Sequence, residues 1–478
     1  MGNSALFVAA ASAALIQPEA ESPPISRRLE QALEAMVPPV KVAGREYEPR
    51  PVTDLMKREN VPGISVAVVE DGRIVWARAY GVADSSSGQA ATAETMFQAA
   101  SISKPVAATG ALALVDSGIL SLDRPVDEQL TSWKIPAHDF AEAVTLRRLL
   151  THTAGLTVHG FPGYAAGAPL PTVVQVLNGE APANTPAVRV DIQPGSRWRY
   201  SGGGFTVAQA LMTDATGEPF AKLMDRLVLR PTGMKHSTFE QPLNGAEAAG
   251  AATAHDGKGQ PIPGRFHIYP EAAAAGLWTT PSDLARWAVA VSSASQGGTG
   301  GLLTPETARA MLTPGMGDWG LGVGLQGEGA DMRFWHNGVN EGFRTILFSY
   351  PRRRQAVVIM ANSDTGNEVL GPVRVAIGRV LGWPGSEQRT ITPVPVRIES
   401  RTEQVGYYSS PSFSAHIGLR EEGLVLVPSQ GDPVEAIPQG EDAYALAERG
   451  DPLQFQRDSK SGRITSLTIG RLTLQRRP

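Results

Sequence analysis

At 478 residues the chain is too long for one small core, and at roughly 150 residues per domain it divides into two or three units. A net charge of −4, with no basic cluster beyond Arg352-Arg353-Arg354 in an expected turn, argues against a nucleic acid partner. Cysteine is absent, which excludes disulfides, thiolate metal sites and a cysteine nucleophile.

The first apolar stretch, Ala5 to Ile16, is too short to span a membrane, so stable membrane insertion is not expected. It has the apolar part and small-residue end of a secretory signal but lacks the usual preceding Lys or Arg. Residues 1–24 are therefore expected to be a signal remnant and linker, and the protein periplasmic or secreted. A short helix is expected over Ile25 to Met36. A hairpin follows: Gly63 to Val69, an Asp71-Gly72 turn, then Ile74 to Tyr80.

Ala99-Ala100-Ser101-Ile102-Ser103-Lys104-Pro105 then opens a helix. Its body, Val106 to Val115, is nearly all Ala, Leu and Val, and it stops at Asp116-Ser117-Gly118. Positions i and i+3 of a helix share a face, so the Ser101 hydroxyl and Lys104 amine can meet. Serine needs a neighbouring base to become a nucleophile, and lysine serves only where burial or positive potential lowers its pKa. A helix N-terminus helps twice, disfavouring the ammonium and offering free N–H groups to an oxyanion. Serine and lysine are common, so the pair gains weight mainly because a lysine at the mouth of a buried helix is unusual.

From about residue 120 to 295 the chain is rich in helices, Gly and Pro. Tyr200 opens Tyr200-Ser201-Gly202-Gly203-Gly204, expected as an elbow ahead of a helix from Phe205 to Met212. A phenol brought close to a lysine on such an elbow can act as general base or proton relay, so the base is Lys104 or Tyr200. Trp335-His336-Asn337-Gly338-Val339-Asn340 precedes two apolar strands, Thr345 to Tyr350 and Ala356 to Ala361. Gly338 is expected to let a substrate backbone approach an edge strand, with the Val339 N–H joining that of Ser101 as oxyanion donor.

Early and late strands around a helical middle indicate one mixed α/β unit, residues 25–384, whose sheet joins both ends. A linker, 385–396, leads to short alternating runs such as Leu424 to Val427 and Ile464 to Ile469. Residues 397–478 are expected to form a small all-β domain.

Ser101-Ile102-Ser103-Lys104, Tyr200-Ser201-Gly202 and His336-Asn337-Gly338, in that order, resemble the motifs of the penicillin-binding-protein and class C β-lactamase group of serine hydrolases. That group includes D-alanyl-D-alanine carboxypeptidases, D-aminopeptidases and family VIII carboxylesterases. Two further stretches resemble it, Leu149 to Leu156 and Ala275 to Leu284, so the likeness covers roughly residues 45 to 382. It implies an α+β domain with an antiparallel sheet and a helical subdomain, and no cofactor or metal. It also implies catalytic Ser101, Lys104 and Tyr200, and substrate-binding Gly202, His336, Asn337 and Gly338. The C-terminal part resembles, more loosely, the lipocalin-like or barrel modules of some members.

Two positions depart from the pattern. Gly202 stands where the family usually has an amide-binding asparagine, and His336 where β-lactamases have a lysine that attracts a carboxylate. A histidine is largely uncharged at neutral pH, so an anionic substrate is less favoured. The expected activity is hydrolysis of esters or amides of small molecules or short peptides through an acyl-enzyme on Ser101. The alternatives are a D-alanyl-D-alanine-type peptidase or weak β-lactamase, and a non-catalytic ligand-binding protein. The C-terminal domain is expected to supply no catalytic group and to shape access, support a homodimer, or simply stabilise. Gly322 to Gly327 matches the dinucleotide fingerprint as a string but lacks a following helix signature, and His152 and His159 lack zinc-site spacing.

Overall fold

The computed structural model describes residues 23–477 apart from 137–139, 299–300, 412, 422, 430–432, 448–449 and 471. The apolar stretch at Ala5 to Ile16 lies outside the described residues. Among the described residues no helix is long and apolar enough to cross a membrane.

Strands β1 (Val40–Val42), β2 (Gly63–Glu70), β3 (Arg73–Asp84), β4 (Gln89–Ala90), β5 (Phe97–Gln98) and β6 (Trp278–Thr279) come first. The late strands are β7 (Gly324–Gln326), β8 (Arg333–Asn340), β9 (Phe343–Tyr350), β10 (Gln355–Ala361) and β11 (Arg389–Ile391). A seven-stranded sheet has the order β4-β3-β2-β10-β9-β8-β7. Thus the early hairpin pairs with the late strands, β2 against β10, as the two ends of the sequence indicated. The β2–β3 hairpin turns on Asp71 and Gly72, both at positive φ, which matches the right-handed twist of the strands.

Central strand β10 is buried along its whole length and reads as an unbroken apolar run from Ala356 to Ala361. Its Val357 and Ile359 pack with Leu29, Leu33, Val373 and Ile377 of helices Ile25–Glu34 and Asn367–Val380. Its Val358 and Met360 face the larger core that holds helices Ser103–Asp116, Gly202–Thr216 and Pro281–Ser295.

Three expectations change in detail. The first helix ends at Glu34, and Met36 instead bridges Arg50. The glycine run expected as an elbow is the first turn of the helix itself, which starts at Gly202 and is N-capped by Ser201 accepting from the Gly204 N–H at 3.0 Å. Within the expected linker, Arg389–Ile391 forms a parallel pair with β1.

The C-terminal unit is a closed antiparallel barrel of β12 (Gly406–Ser409), β13 (Ser414–Leu419), β14 (Leu424–Pro428), β15 (Val434–Pro438), β16 (Ala443–Leu446), β17 (Pro452–Arg457), β18 (Ile464–Ile469) and β19 (Leu472–Arg476). Its core includes Tyr408, Ile417, Leu424, Tyr444, Phe455, Leu467 and Leu474. Buried Gln404, at the end of helix Ile398–Gln404, accepts from the Tyr444 hydroxyl through its side chain and from the Tyr408 hydroxyl through its carbonyl. Arg45 holds Glu435 of the barrel with two hydrogen bonds of 2.6 and 2.8 Å, and the Val394 N–H donates to Pro438. These contacts involve the segments around β1 and β11 and none of the groups that surround Ser101.

Candidate active site

Ser101 lies in a 3-10 turn, Ala100–Ile102, that runs directly into helix Ser103–Asp116. Ala100 has φ +51°, a left-handed conformation that costs a residue with a Cβ about 1–2 kcal/mol. The surroundings hold the turn in place. The Ala99 N–H donates to Leu277 O at 2.8 Å, and the Ser103 hydroxyl donates to Ala100 O while accepting from the Leu277 N–H. Gly338 of β8 lies against the same turn. Its missing side chain therefore makes room for the protein's own backbone, where a substrate backbone was expected.

Lys104 is buried, and its Nζ lies 3.1 Å from Ser101 Oγ and 2.7 Å from Ala274 O. No carboxylate pairs with it among the described residues, and burial pulls its pKa from 10.5 to about 7. The Tyr200 ring stands 5.0 Å from Nζ. Burial raises the Tyr200 pKa, and its interaction with the Ser101 hydroxyl only partly offsets this. At neutral pH the lysine is thus much the easier group to find deprotonated.

His336 is buried on β8 with its ring 6.3 Å from that of Tyr200. Its Nδ1 donates to Asn337 O at 2.6 Å, which leaves Nε2 as an acceptor without a partner among the described residues. Burial first, then the nearby Lys104, lowers its pKa to about 3, so it is neutral. Strand alternation puts the exposed Asn337 and Val339 side chains on the opposite face from His336 and Gly338. β7 pairs with β8 only over Arg333 to Trp335, so beyond that the outer edge of β8 has no strand neighbour among the described residues.

Gly202 is buried and offers no side chain. Its N–H donates to His159 O at 3.0 Å, its carbonyl accepts from the Thr206 hydroxyl, and an added Cβ would lie 2.9 Å from the Phe161 ring. The Val158–Phe161 loop thus fills the place where an asparagine side chain would stand. Gly202 itself has no free group for a ligand.

The sequence did not mark His152, Trp198 or Trp319 as site residues. His152 is buried, accepts the Ser201 N–H at Nδ1 and packs its ring 4.3 Å from Tyr200. Burial first and Lys104 next hold its pKa well below 6.5. Its φ of +57° and that of Val158, +61°, add two more left-handed residues close to Tyr200. Trp319 lies 5.3 Å from His152 and 5.5 Å from His336, and Trp198 lies 5.6 Å from Trp319. The only available signal was the Leu149–Leu156 stretch, which contains His152.

A buried lysine poised on a half-buried serine, flanked by a phenol and two neutral imidazoles, can remove and return one proton at one hydroxyl. The beta-lactamase family model matches residues 50–380. Esterase EstB of Burkholderia gladioli is 32% identical over 240 residues, covering 48% of this chain and 59% of that protein. A beta-lactamase of Pseudomonas fluorescens is 30% identical over 236 residues, covering 49% and 60%. Each match thus spans about three-fifths of the relative's length. The octameric penicillin-binding protein homologue from Pyrococcus abyssi superposes with a TM-score of 0.57 at 20% identity, covering 88% of this chain and 98% of that one, and so shares the fold. The chain belongs to the beta-lactamase family.

Proposed function

We propose that the protein is a serine hydrolase that cleaves ester or amide bonds of small substrates, short peptides included, through an acyl-enzyme on Ser101. The observation that carries this is the 3.1 Å contact between Ser101 Oγ and a buried Lys104 whose pKa has fallen to about 7. The neutral Lys104 amine takes the Ser101 proton as Oγ bonds to the substrate carbonyl carbon. The Ser101 and Val339 N–H groups receive the oxyanion. As the C–O or C–N bond breaks, the proton on Lys104 passes through the Tyr200 hydroxyl to the departing oxygen or nitrogen. Water then repeats the sequence, giving one proton to the same relay, and Ser101 recovers its hydrogen as the acid leaves.

Neutral His336 supports the preference for uncharged esters and short amides over carboxylate-bearing β-lactams. A panel of p-nitrophenyl esters, D-amino-acid amides, short peptides and nitrocefin tests it. Ester or short-amide turnover exceeding nitrocefin turnover is expected, and the reverse order would assign a β-lactamase. A non-catalytic binder would give neither burst nor turnover with any activated ester.

A further inference from the structure

Trp198 and Met316 remain 36% and 42% exposed although both are large and apolar, and the turn that carries Met316 packs against Trp198 beside the site. Gly317, at φ +71°, brings the Met316–Asp318 turn so close to Trp198 that a Cβ on Gly317 would lie 2.9 Å from the indole. The Trp198 ring continues an aromatic wall: 5.6 Å to Trp319, which stands 6.1 Å from Tyr200, with Trp198 itself 6.4 Å from Tyr200. Neutral His152 backs both indoles. An uncovered apolar patch continuous with a reaction centre marks a place where a ligand is desolvated.

From this we infer that Trp198, backed by buried Trp319 and flanked by the Met316–Asp318 turn, forms an apolar lip that holds the leaving group, so the preferred substrates are esters and amides of aromatic alcohols and amines. The inference rests on the proposed acyl-enzyme at Ser101. In that scheme Tyr200 hands a proton to the departing atom, so the departing group lies on the Tyr200 side of the carbonyl. Buried Trp319 packs between Tyr200 and Trp198, and Trp198 is the aromatic surface of this wall that reaches solvent. The acyl group, by contrast, stays on Ser101 and does not depend on this wall.

Benzyl acetate and ethyl acetate share an acyl group and have alcohols of similar acidity, so their kcat/KM ratio isolates the leaving-group contact. The wild-type protein should favour the benzyl ester at least about tenfold, the usual worth of one good aromatic contact. Trp198→Ala should reduce that ratio roughly tenfold, whereas Trp198→Phe should keep most of it. Equal losses for both esters in Trp198→Ala, or no benzyl preference in the wild type, would overturn the lip. A fluorophosphonate that labels Ser101 while the ratio stays flat overturns the lip alone. Failure to label Ser101 overturns the acyl-enzyme reading as well.

Discussion

Gly338 lies flush against Ala99: a Cβ on Gly338 would fall 2.2 Å from the Ala99 carbonyl oxygen and 3.0 Å from Ala100 Cβ. Backbone cannot yield by that much, so the turn carrying Ser101 seats on β8 only because position 338 is glycine. Gly338→Ala should therefore displace Ser101 from Lys104, at a cost of about 1–3 kcal/mol for the overpacking. The expected result is a melting temperature several degrees lower and Ser101 acylation slowed more than about tenfold. Stopped-flow acylation with an activated ester checks it, and wild-type kinetics would contradict the contact.

The kinetic consequence of the buried lysine is a pH profile. If neutral Lys104 is the base, kcat/KM should rise with pH and reach its half-maximum near pH 7. One unit below that midpoint only about one-tenth of the base form remains, so activity should fall about tenfold per unit under acid conditions. Lys104→Arg, which stays protonated, should abolish the acylation at every pH. A pH-independent rate from 5 to 9 would exclude this base.

The same burial costs stability, and its sign is fixed. Between about 7 and the ordinary 10.5, the unfolded chain holds a proton at Lys104 that the folded chain has lost, so stability rises with pH through that window. Below about 7 the penalty is complete. Lys104→Met should therefore raise the melting temperature at pH 7 and below, with the gain vanishing toward pH 10.5. A destabilised variant at neutral pH would show that the amine's hydrogen bonds outweigh its desolvation.

Glu271 runs in the opposite direction. It is fully buried, neither oxygen has a hydrogen bond of normal geometry among the described residues, and burial raises its pKa from 4.5 to about 7. Here the folded chain holds the extra proton, so stability is lost as pH climbs from about 4.5 through about 7. Glu271→Gln should melt higher than wild type at pH 8 and close to it at pH 4. Differential scanning fluorimetry across pH reads both variants together, and identical pH curves for wild type and Glu271→Gln would refute the buried acid.

The barrel should be dispensable for chemistry. Its contacts with the rest of the chain include the hydrogen bonds of Arg45, Thr392 and Val394 and the packing of Gly450 against Val40 and Arg389, whereas the groups around Ser101 lie between residues 99 and 339. A chain ending at Pro393 keeps the β1–β11 pair and should retain an acylable Ser101. Loss of acylation by even the smallest ester in a folded truncation would place the barrel in the construction of the site.

Much of this was readable from the sequence because it is local. The Asp71-Gly72 turn, the apolar β10 and the stop at Gly118 each follow from adjacent residues, and Ser101 meets Lys104 through helical spacing alone. Around Gly338 an edge strand was expected, but the extent of β8 was not legible, since its buried positions hold His336 and Asn340 in place of apolar residues. Gly202 read as a lost contact, but only three-dimensional packing shows Phe161 and His159 occupying the space. His152, Trp198 and Trp319 lack any periodic signal and converge on Tyr200 only through long-range packing.

The most direct measurement is intact-protein and peptide mass spectrometry after brief treatment with a fluorophosphonate. A single adduct on Ser101 is expected, forming faster as pH rises through about 7 and absent from Ser101→Ala. Labelling at another residue, or full hydrolytic activity in Ser101→Ala, would contradict the assignment of Ser101 as nucleophile.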